Sequence, residues 1–420
     1  MSSSPLSDSL PARSSRRERG KTPQAFYVPN TVGKKIAQLA SDFQDINGPV
    51  KSFRLFRFEL CARLLVLVLA LNTTGCGGFF ARRMAQAPNT YPSWLAPAAP
   101  VELAFGSKYL TNFPARFVNV GPPQARLCYR VVEPADYGLE LSSTNWLERG
   151  RRHYRFASDA KFPGRPNAWT PEPRGTVVLL HGYGVAQFAM APWALRLAQE
   201  GWRCVLVDLR GHGKSSGRRI YFGVQETRDL SQLLDSLASD GELNGVAAIG
   251  ESYGAALALR WKTLEPRVGR VVAIAPYAEL SHAVLNICHE YAKCLPRGFV
   301  KSGLKHLPSL LDVEPDQLDT MRVLARTPVA AMFAGGTEDQ ITPLADVRKL
   351  YQAALPGSEL VVVPEATHEA VTYYFEDLVP PVLAWLGRKN TVGSAPHHDL
   401  LPAPSGEKRA ETNPSRILVP

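Results

Sequence analysis

One serine in this sequence stands where a hydroxyl can be turned into a nucleophile. Residues 250–254 read Gly250-Glu251-Ser252-Tyr253-Gly254, between the apolar run Val246–Ile249 and a helix-forming stretch that starts at Ala255. Strand, sharp turn and helix in that order lift the serine above the end of a sheet, and glycines two residues to either side keep the strained turn uncrowded. The helix behind it offers backbone N–H groups to a developing negative charge. Such a serine needs a base, and the base needs an acid to orient it. Of the nine histidines, His368 lies just after the last strand-like run, in Pro364-Glu-Ala-Thr-His-Glu369. Asp339 follows the preceding run, in Gly335-Gly-Thr-Glu-Asp-Gln-Ile-Thr-Pro343, with Glu338 as its neighbour and competitor. Ser252, Asp339 and His368 therefore occur in the chain order expected at the carboxyl edge of one sheet. The candidate oxyanion donors are the backbone N–H groups of Tyr253 and of Tyr183, the latter in Leu179-Leu-His-Gly-Tyr-Gly184. His181 in that phrase is read as structural, as are Asp208 and His212 in Asp208-Leu-Arg-Gly-His-Gly-Lys-Ser215, a rigid turn beside the site.

Positioning these residues takes a parallel sheet. Apolar runs occur at Thr176–Leu180, Cys204–Val207, Val246–Ile249, Val271–Ala275, Val329–Phe333 and Leu360–Val363. Amphipathic segments accompany them at Phe188–Glu200, Val224–Ser239, Ala255–Leu264, Leu344–Ala354 and Glu369–Leu386. Short, continuous apolar runs separated in this way predict an α/β fold, a mostly parallel sheet with helices on both faces. The alternation stops over residues 277–327, a helical insertion bearing Tyr277, Tyr291, Phe299 and several leucines, which predicts a cap over the site. Upstream, Leu127–Val132 and His153–Ala157 predict antiparallel edge strands for the same sheet. The predicted domain spans 101–388, and the Pro-rich, polar tail over 389–420 reads as disordered.

The N-terminal part has another character. The chain of 420 residues carries a net charge of +10; residues 1–63 hold eleven Lys and Arg against five Asp and Glu, a net of +6, which leaves +4 for the rest. A basic excess that sits mainly in a leader fits a targeting region or a solvated disordered arm and does not argue for a nucleic-acid surface. Residues 51–76 combine a basic segment, the apolar Leu64–Leu71 and small residues up to Cys76, the parts of a secretory signal or a membrane anchor. Residues 1–50 read as a disordered leader, or as an extension upstream of a true start near Val50. Residues 77–100, with repeated Pro and Ala, read as a tether. None of the six cysteines forms a Cys-x-x-Cys pair, so no zinc or redox motif is present. Cys204 reads as a buried small hydrophobe, and Cys288 and Cys294 would pair only in an oxidising compartment. No phosphate-binding loop of the Walker type occurs, and serine chemistry calls for no metal or organic cofactor.

Taken in order, His181-Gly-Tyr-Gly184, Asp208–Ser215, Gly250–Gly254, Gly336-Thr-Glu-Asp339 and Thr367-His368 resemble the α/β-hydrolase superfamily. Within it the chain resembles the monoglyceride-lipase and lysophospholipase-like branch, also called serine aminopeptidase-like. The resemblance covers about residues 174–388, and it departs at Glu251, where that branch often has His. It implies the α/β-hydrolase fold, no cofactor, and a small-molecule or lipid ester as substrate. It also implies two-step acyl transfer, with Ser252 as nucleophile, His368 as base and Asp339 orienting it. Separately, Gly75-Cys76-Gly-Gly78 is similar to the lipobox of bacterial lipoproteins, whose cysteine is acylated, although Thr73 stands where an aliphatic residue is usual. That likeness implies a bacterial envelope protein held at the membrane through Cys76. A periplasmic or secreted form and an uncleaved N-terminal helix are the alternatives. A serine peptidase of the same fold is the close rival in function, and a non-catalytic envelope binding protein is the rival from another class. The serine points away from haloalkane dehalogenases and epoxide hydrolases, which use aspartate in this superfamily. Nothing in the pattern sets an oligomeric state.

Overall fold

The computed structural model describes residues 76–90, 101–103, 108–148, 151–162, 172–241, 243, 245–388 and 418–419. The leader, the signal-like segment before Cys76 and the tail from 389 to 417 lie outside the described residues. Helix α1 (Cys76–Ala85) comes first, then β1 (Val101–Leu103), β2 (Arg116–Val120), β3 (Ala125–Val132), β4 (Glu140–Glu148) and β5 (Arg151–Asp159). A regular alternation follows: β6 (Thr176–Leu180), α2 (Ala191–Gln199), β7 (Arg203–Asp208), α3 (Glu226–Ser239), β8 (Val246–Glu251), α4 (Tyr253–Leu264) and β9 (Val268–Ile274). Helices α5 (Leu280–Tyr291), α6 (Arg297–Leu311) and α7 (Thr320–Arg326) then separate β9 from β10 (Met332–Gly336). The chain continues with α8 (Leu344–Ala353), β11 (Glu359–Val363), α9 (Phe375–Leu386) and the two-residue β12 (Leu418–Val419).

The main sheet has the order β12-β11-β10-β9-β8-β6-β7-β3-β2. Neighbours from β7 to β11 run parallel, whereas β2, β3 and β12 lie antiparallel to theirs. Covering both faces of a parallel sheet explains why its strands are apolar without alternation. Every residue of β6 is buried. Val178 and Leu180 pack with α3, α4 and α8, and Val177 and Leu179 pack with α2 and α9, as the two-residue period of a strand dictates. This is the α/β-hydrolase fold, with a helical cap inserted between β9 and β10. Among the described residues no helix is long and apolar enough to cross a membrane.

The structure differs from the sequence expectation in several places. His153–Ala157 lies in β5, which pairs with β4 and β1 in a separate three-stranded sheet and does not edge the main one. Strand β10 runs to Gly336, past the apolar run that announced it. A side chain at Gly336 would overlap the Ala366 carbonyl, so the glycine lets the loop that carries His368 come close. The last helix begins at Phe375, because that loop and a turn at Val371–Tyr373 occupy the residues before it.

The expected tether is the largest correction. Residues 76–85 form α1, and Gly77, Ala81, Met84 and Ala85 are buried along one stripe of it. The chain after α1 is tied to the domain by backbone bonds. Ala87 N–H donates to Arg218 at 3.1 Å, Asn89 N–H to Gly211 at 3.0 Å, and Ile220 N–H to Ala85 at 2.9 Å. The apolar stripe makes this segment part of the fold.

Candidate active site

Ser252 sits between β8 and α4 at φ 51°, ψ −109°. That conformation costs a non-glycine residue about 1–3 kcal/mol and persists only where the surroundings enforce it. Here the Ser252 N–H donates to the Ile274 carbonyl at 2.8 Å, and its carbonyl accepts from Ala256 at 3.1 Å. A side chain at position 250 would overlap the Gly254 carbonyl, and one at 254 would overlap the Leu180 carbonyl. Both glycines are thus demanded by backbone approach.

Ser252 Oγ lies 2.9 Å from His368 Nε2, and His368 Nδ1 lies 2.8 Å from Asp339 Oδ2. With Nδ1 donating to the carboxylate, Nε2 carries the lone pair and can accept the serine proton. Asp339 is buried, and its carboxylate is anchored. Oδ1 accepts from the N–H groups of Ile341 at 2.8 Å and Thr342 at 2.7 Å, and Oδ2 accepts from the Thr342 hydroxyl at 2.8 Å. That hydroxyl also lies 3.1 Å from the Ala275 carbonyl and 3.2 Å from His368 Nδ1. Burial alone would lower the pKa of His368. The Asp339 charge and hydrogen bond, with Glu251 behind them, outweigh burial and hold it above the ordinary histidine value. Glu338 points elsewhere, 3.9 Å from the Arg152 guanidinium, with its side chain 44% exposed.

Tyr253 opens α4, so its N–H has no intrahelical acceptor. The Tyr183 ring meets the Tyr253 ring edge-on at 6.3 Å. Gly182 approaches the serine closely; a Cβ placed there would lie 3.8 Å from Ser252 Cβ. The two segments chosen from the sequence as oxyanion donors therefore flank Ser252.

His181 is fully buried; its Nδ1 donates to the Gly182 carbonyl at 2.7 Å and its Nε2 accepts from Leu209 N–H at 3.1 Å. Burial pushes its pKa down to about 4 and, with His181 adding to the effect, pushes that of His212 to about 3. Asp208 accepts from the N–H groups of Gln187 and Lys214, both at 2.9 Å. These three groups hold the 208–215 turn against the loop that carries Tyr183.

Two polar residues escaped the sequence reading. Thr342 secures Asp339, and its signal was an Asp followed three residues later by Thr, the pattern of a turn in which the acid caps its own backbone. Glu251 was seen only as a departure from a pattern. Its Oε1 would lie 3.3 Å from a Cβ at Gly182, and its Oε2 is buried without a hydrogen-bond partner. Burial raises its pKa, His368 pulls it back and Glu369 adds to the rise, so it settles at about 7.

A cavity of about 160 Å³ opens beside Ser252, lined by Phe80, Met84, Tyr183, Phe222, Tyr277 and residues of α5. Among the described residues no Asp, Glu, Lys, Arg or His side chain lines it. A larger cavity of about 470 Å³ lies among β4, β5 and the start of α9, but none of the residues around Ser252 reaches it. Among the described residues no cluster of His, Cys, Asp and Glu is arranged to hold a metal ion. Cys128, Cys204, Cys288 and Cys294 are free thiols.

A family model described as serine aminopeptidase, S33, matches residues 171–323, which include Ser252 and most of the cap but stop short of Asp339 and His368. Monoacylglycerol lipase of Mycolicibacterium smegmatis is 37% identical over 84 residues, 20% of this chain and 27% of that protein. An uncharacterized Bacillus subtilis protein, YqkD, is 22% identical over 206 residues, 47% of this chain and 66% of that protein. The chain thus spans about a quarter of the first relative and just under two thirds of the second. Among solved structures, the Pyrococcus furiosus esterase Pf2001 aligns with a TM-score of 0.48 at 20% identity, covering 67% of this chain and 94% of the other.

Proposed function

We propose that this protein is a serine hydrolase that cleaves carboxylic esters through Ser252, His368 and Asp339. One observation carries the reading: a serine, an imidazole and a buried carboxylate linked at 2.9 and 2.8 Å beside an apolar cavity. Ser252 Oγ attacks the ester carbonyl carbon while His368 Nε2 takes its proton. Asp339 fixes the tautomer and stabilises the imidazolium. The N–H groups of Tyr183 and Tyr253 receive the oxyanion. Collapse breaks the bond to the alkoxy oxygen, and His368 returns the proton to the departing alcohol. Water then attacks the acyl-enzyme with His368 as base and releases the acid.

The family description raises peptidase chemistry as the second reading. An aminopeptidase has to recognise a substrate ammonium group, and among the described residues no acidic side chain lines the cavity beside Ser252. That favours an ester with an apolar acyl group. We also propose an envelope location with Cys76 as the lipidated residue, motivated by the basic, apolar and small-residue order of 51–76. Mass spectrometry of the native N-terminus should find an acylated Cys76, and peptides from upstream of it in the mature protein would count against the proposal.

The function is tested with the full chain on nitrophenyl esters of increasing acyl length, with Ser252→Ala as control and a serine-directed fluorophosphonate as probe. Ser252-dependent turnover is expected. Labelling without turnover would move the reading to a peptidase, and the absence of both would favour a binding protein.

A further inference from the structure

The cavity beside Ser252 has one wall that belongs to neither the sheet nor the cap. Phe80 and Met84 of α1 line it, opposite residues of α5 such as Leu280 and Ile287. This helix lies outside residues 171–323, the stretch matched by the family model. Its attachment is close at both ends. A side chain on Gly77 would strike Ser302 and His306 of α6, and one on Gly303 of α6 would strike the Phe80 ring. The Phe80 ring also packs against Phe299 with centroids 5.0 Å apart. Beyond its carboxyl end, Ala87 and Asn89 bond to the backbone of Arg218 and Gly211. Helix α1 therefore bridges the cap and the 208–220 turn, and two of its side chains face the space a substrate's acyl group would occupy.

We propose that α1 is the outer wall of the acyl pocket and that Phe80 and Met84 set the longest acyl group the enzyme accepts. This rests on the ester-hydrolase reading above and adds a substrate class to it. A cavity of about 160 Å³ is close to the size that holds a benzene-sized guest, ~150 Å³. That corresponds to an acyl group of roughly four to six carbons, or a phenyl ring, held within the cavity. Among the described residues the lining carries no charge and is mostly apolar, so the acyl group should be unsubstituted hydrocarbon. Truncating Phe80 or Met84 removes side-chain volume from this lining and so enlarges the pocket.

The test uses the full chain and nitrophenyl esters from acetate to dodecanoate, comparing the parent with Phe80→Ala, Phe80→Leu and Met84→Ala. The parent should prefer esters in the range from butanoate through hexanoate over decanoate and dodecanoate. In the truncated variants the ratio of kcat/KM for decanoate over butanoate should rise about tenfold or more, since each methylene accommodated in an apolar pocket is worth roughly that. Met84→Trp, which fills the pocket, should shift the preference the other way, toward acetate. Phe80→Leu keeps the helix packed, so a profile change that appears with it cannot be put down to unfolding. Ser252-dependent turnover with the same chain-length profile in all the variants would overturn the wall. A parent that already prefers dodecanoate would overturn the size limit. A parent with no Ser252-dependent turnover of any ester would overturn the underlying reading.

Discussion

Replacing Glu251 by Gln should make the protein more stable at pH 8 than at pH 5, relative to the parent at the same pH. Glu251 is the last residue of β8, next to Ser252, and one of its carboxyl oxygens is buried without a hydrogen-bond partner. The ionisable groups that act on it are His368, which favours its charge, and Glu369, which opposes it; its own charge acts in turn on Tyr373. Burial is the largest influence, and the carboxyl moves from 4.5 to about 7. Between those values the native state keeps a proton that the unfolded chain has released, so stability falls as pH rises through that window. Above it both states are ionised and the whole penalty, about 3 kcal/mol, remains. Gln has the same shape and no charge, so it removes the penalty where it exists and changes little where Glu251 is already protonated. The cost of burying the Gln amide does not vary with pH, and it cancels when the two pH values are compared. For a domain of this size the gain corresponds to an increase of about 5 °C in Tm at pH 8 over that at pH 5. Thermal unfolding of parent and variant in matched buffers reads the difference directly. A Tm difference that is the same at both pH values, or one that favours the parent at pH 8, would refute the placement of a high-pKa carboxyl beside Ser252.

The remaining predictions concern the relay itself. Ser252→Ala should lower kcat by at least about three orders of magnitude while leaving the circular dichroism spectrum unchanged, as measured with a nitrophenyl ester. The acid limb of kcat/KM should lie above the ordinary histidine value of 6.5, because Asp339 and Glu251 outweigh burial at His368 and the base works only when neutral; a limb below that value in a pH–rate profile would contradict the charge arrangement. Thr342→Val removes the hydroxyl that bonds Asp339 Oδ2 but leaves both backbone donors, so kcat/KM should fall about tenfold, and a parent-like value would show that the hydroxyl is dispensable. Gly254→Ala should fail to accumulate as folded protein, since the new Cβ meets the Leu180 carbonyl, which the β6 ladder prevents from moving.

The parts of this protein that could be read from the sequence were those written in local patterns. Val177 through Leu180 show a buried strand because every residue there must be apolar, and Gly250 and Gly254 show an elbow because no other residue fits. The preference for Asp339 over Glu338 was also local, resting on the loop phrase Gly-Thr-x-Asp, although only the structure brings its carboxylate to His368. Long-range relations stayed hidden. The Asp-x-x-Thr spacing hints that Thr342 caps Asp339, but the contacts of its hydroxyl with Ala275 and His368 appear only in the folded chain. Strand β5 has the composition of an edge strand, and nothing in that composition says which sheet it edges.

Helix α1 is the instructive case, because its signal was present and the repeated Pro and Ala that follow it were read instead. Gly77, Phe80, Ala81, Met84 and Ala85 recur at helical spacing, yet two glycines open the segment and prolines follow it. Glycine lowers helix propensity by about 1 kcal/mol, which is the right inference for an isolated peptide and the wrong one here. Gly77 occupies its position because α6 comes too close for a side chain, so the feature that argues against a helix is the one that lets it dock. A glycine followed by an apolar stripe at helical spacing, close to a predicted signal, should therefore be weighed as a docking helix before it is called a tether. In this chain the choice decides whether Phe80 and Met84 belong to the lining of the cavity beside Ser252.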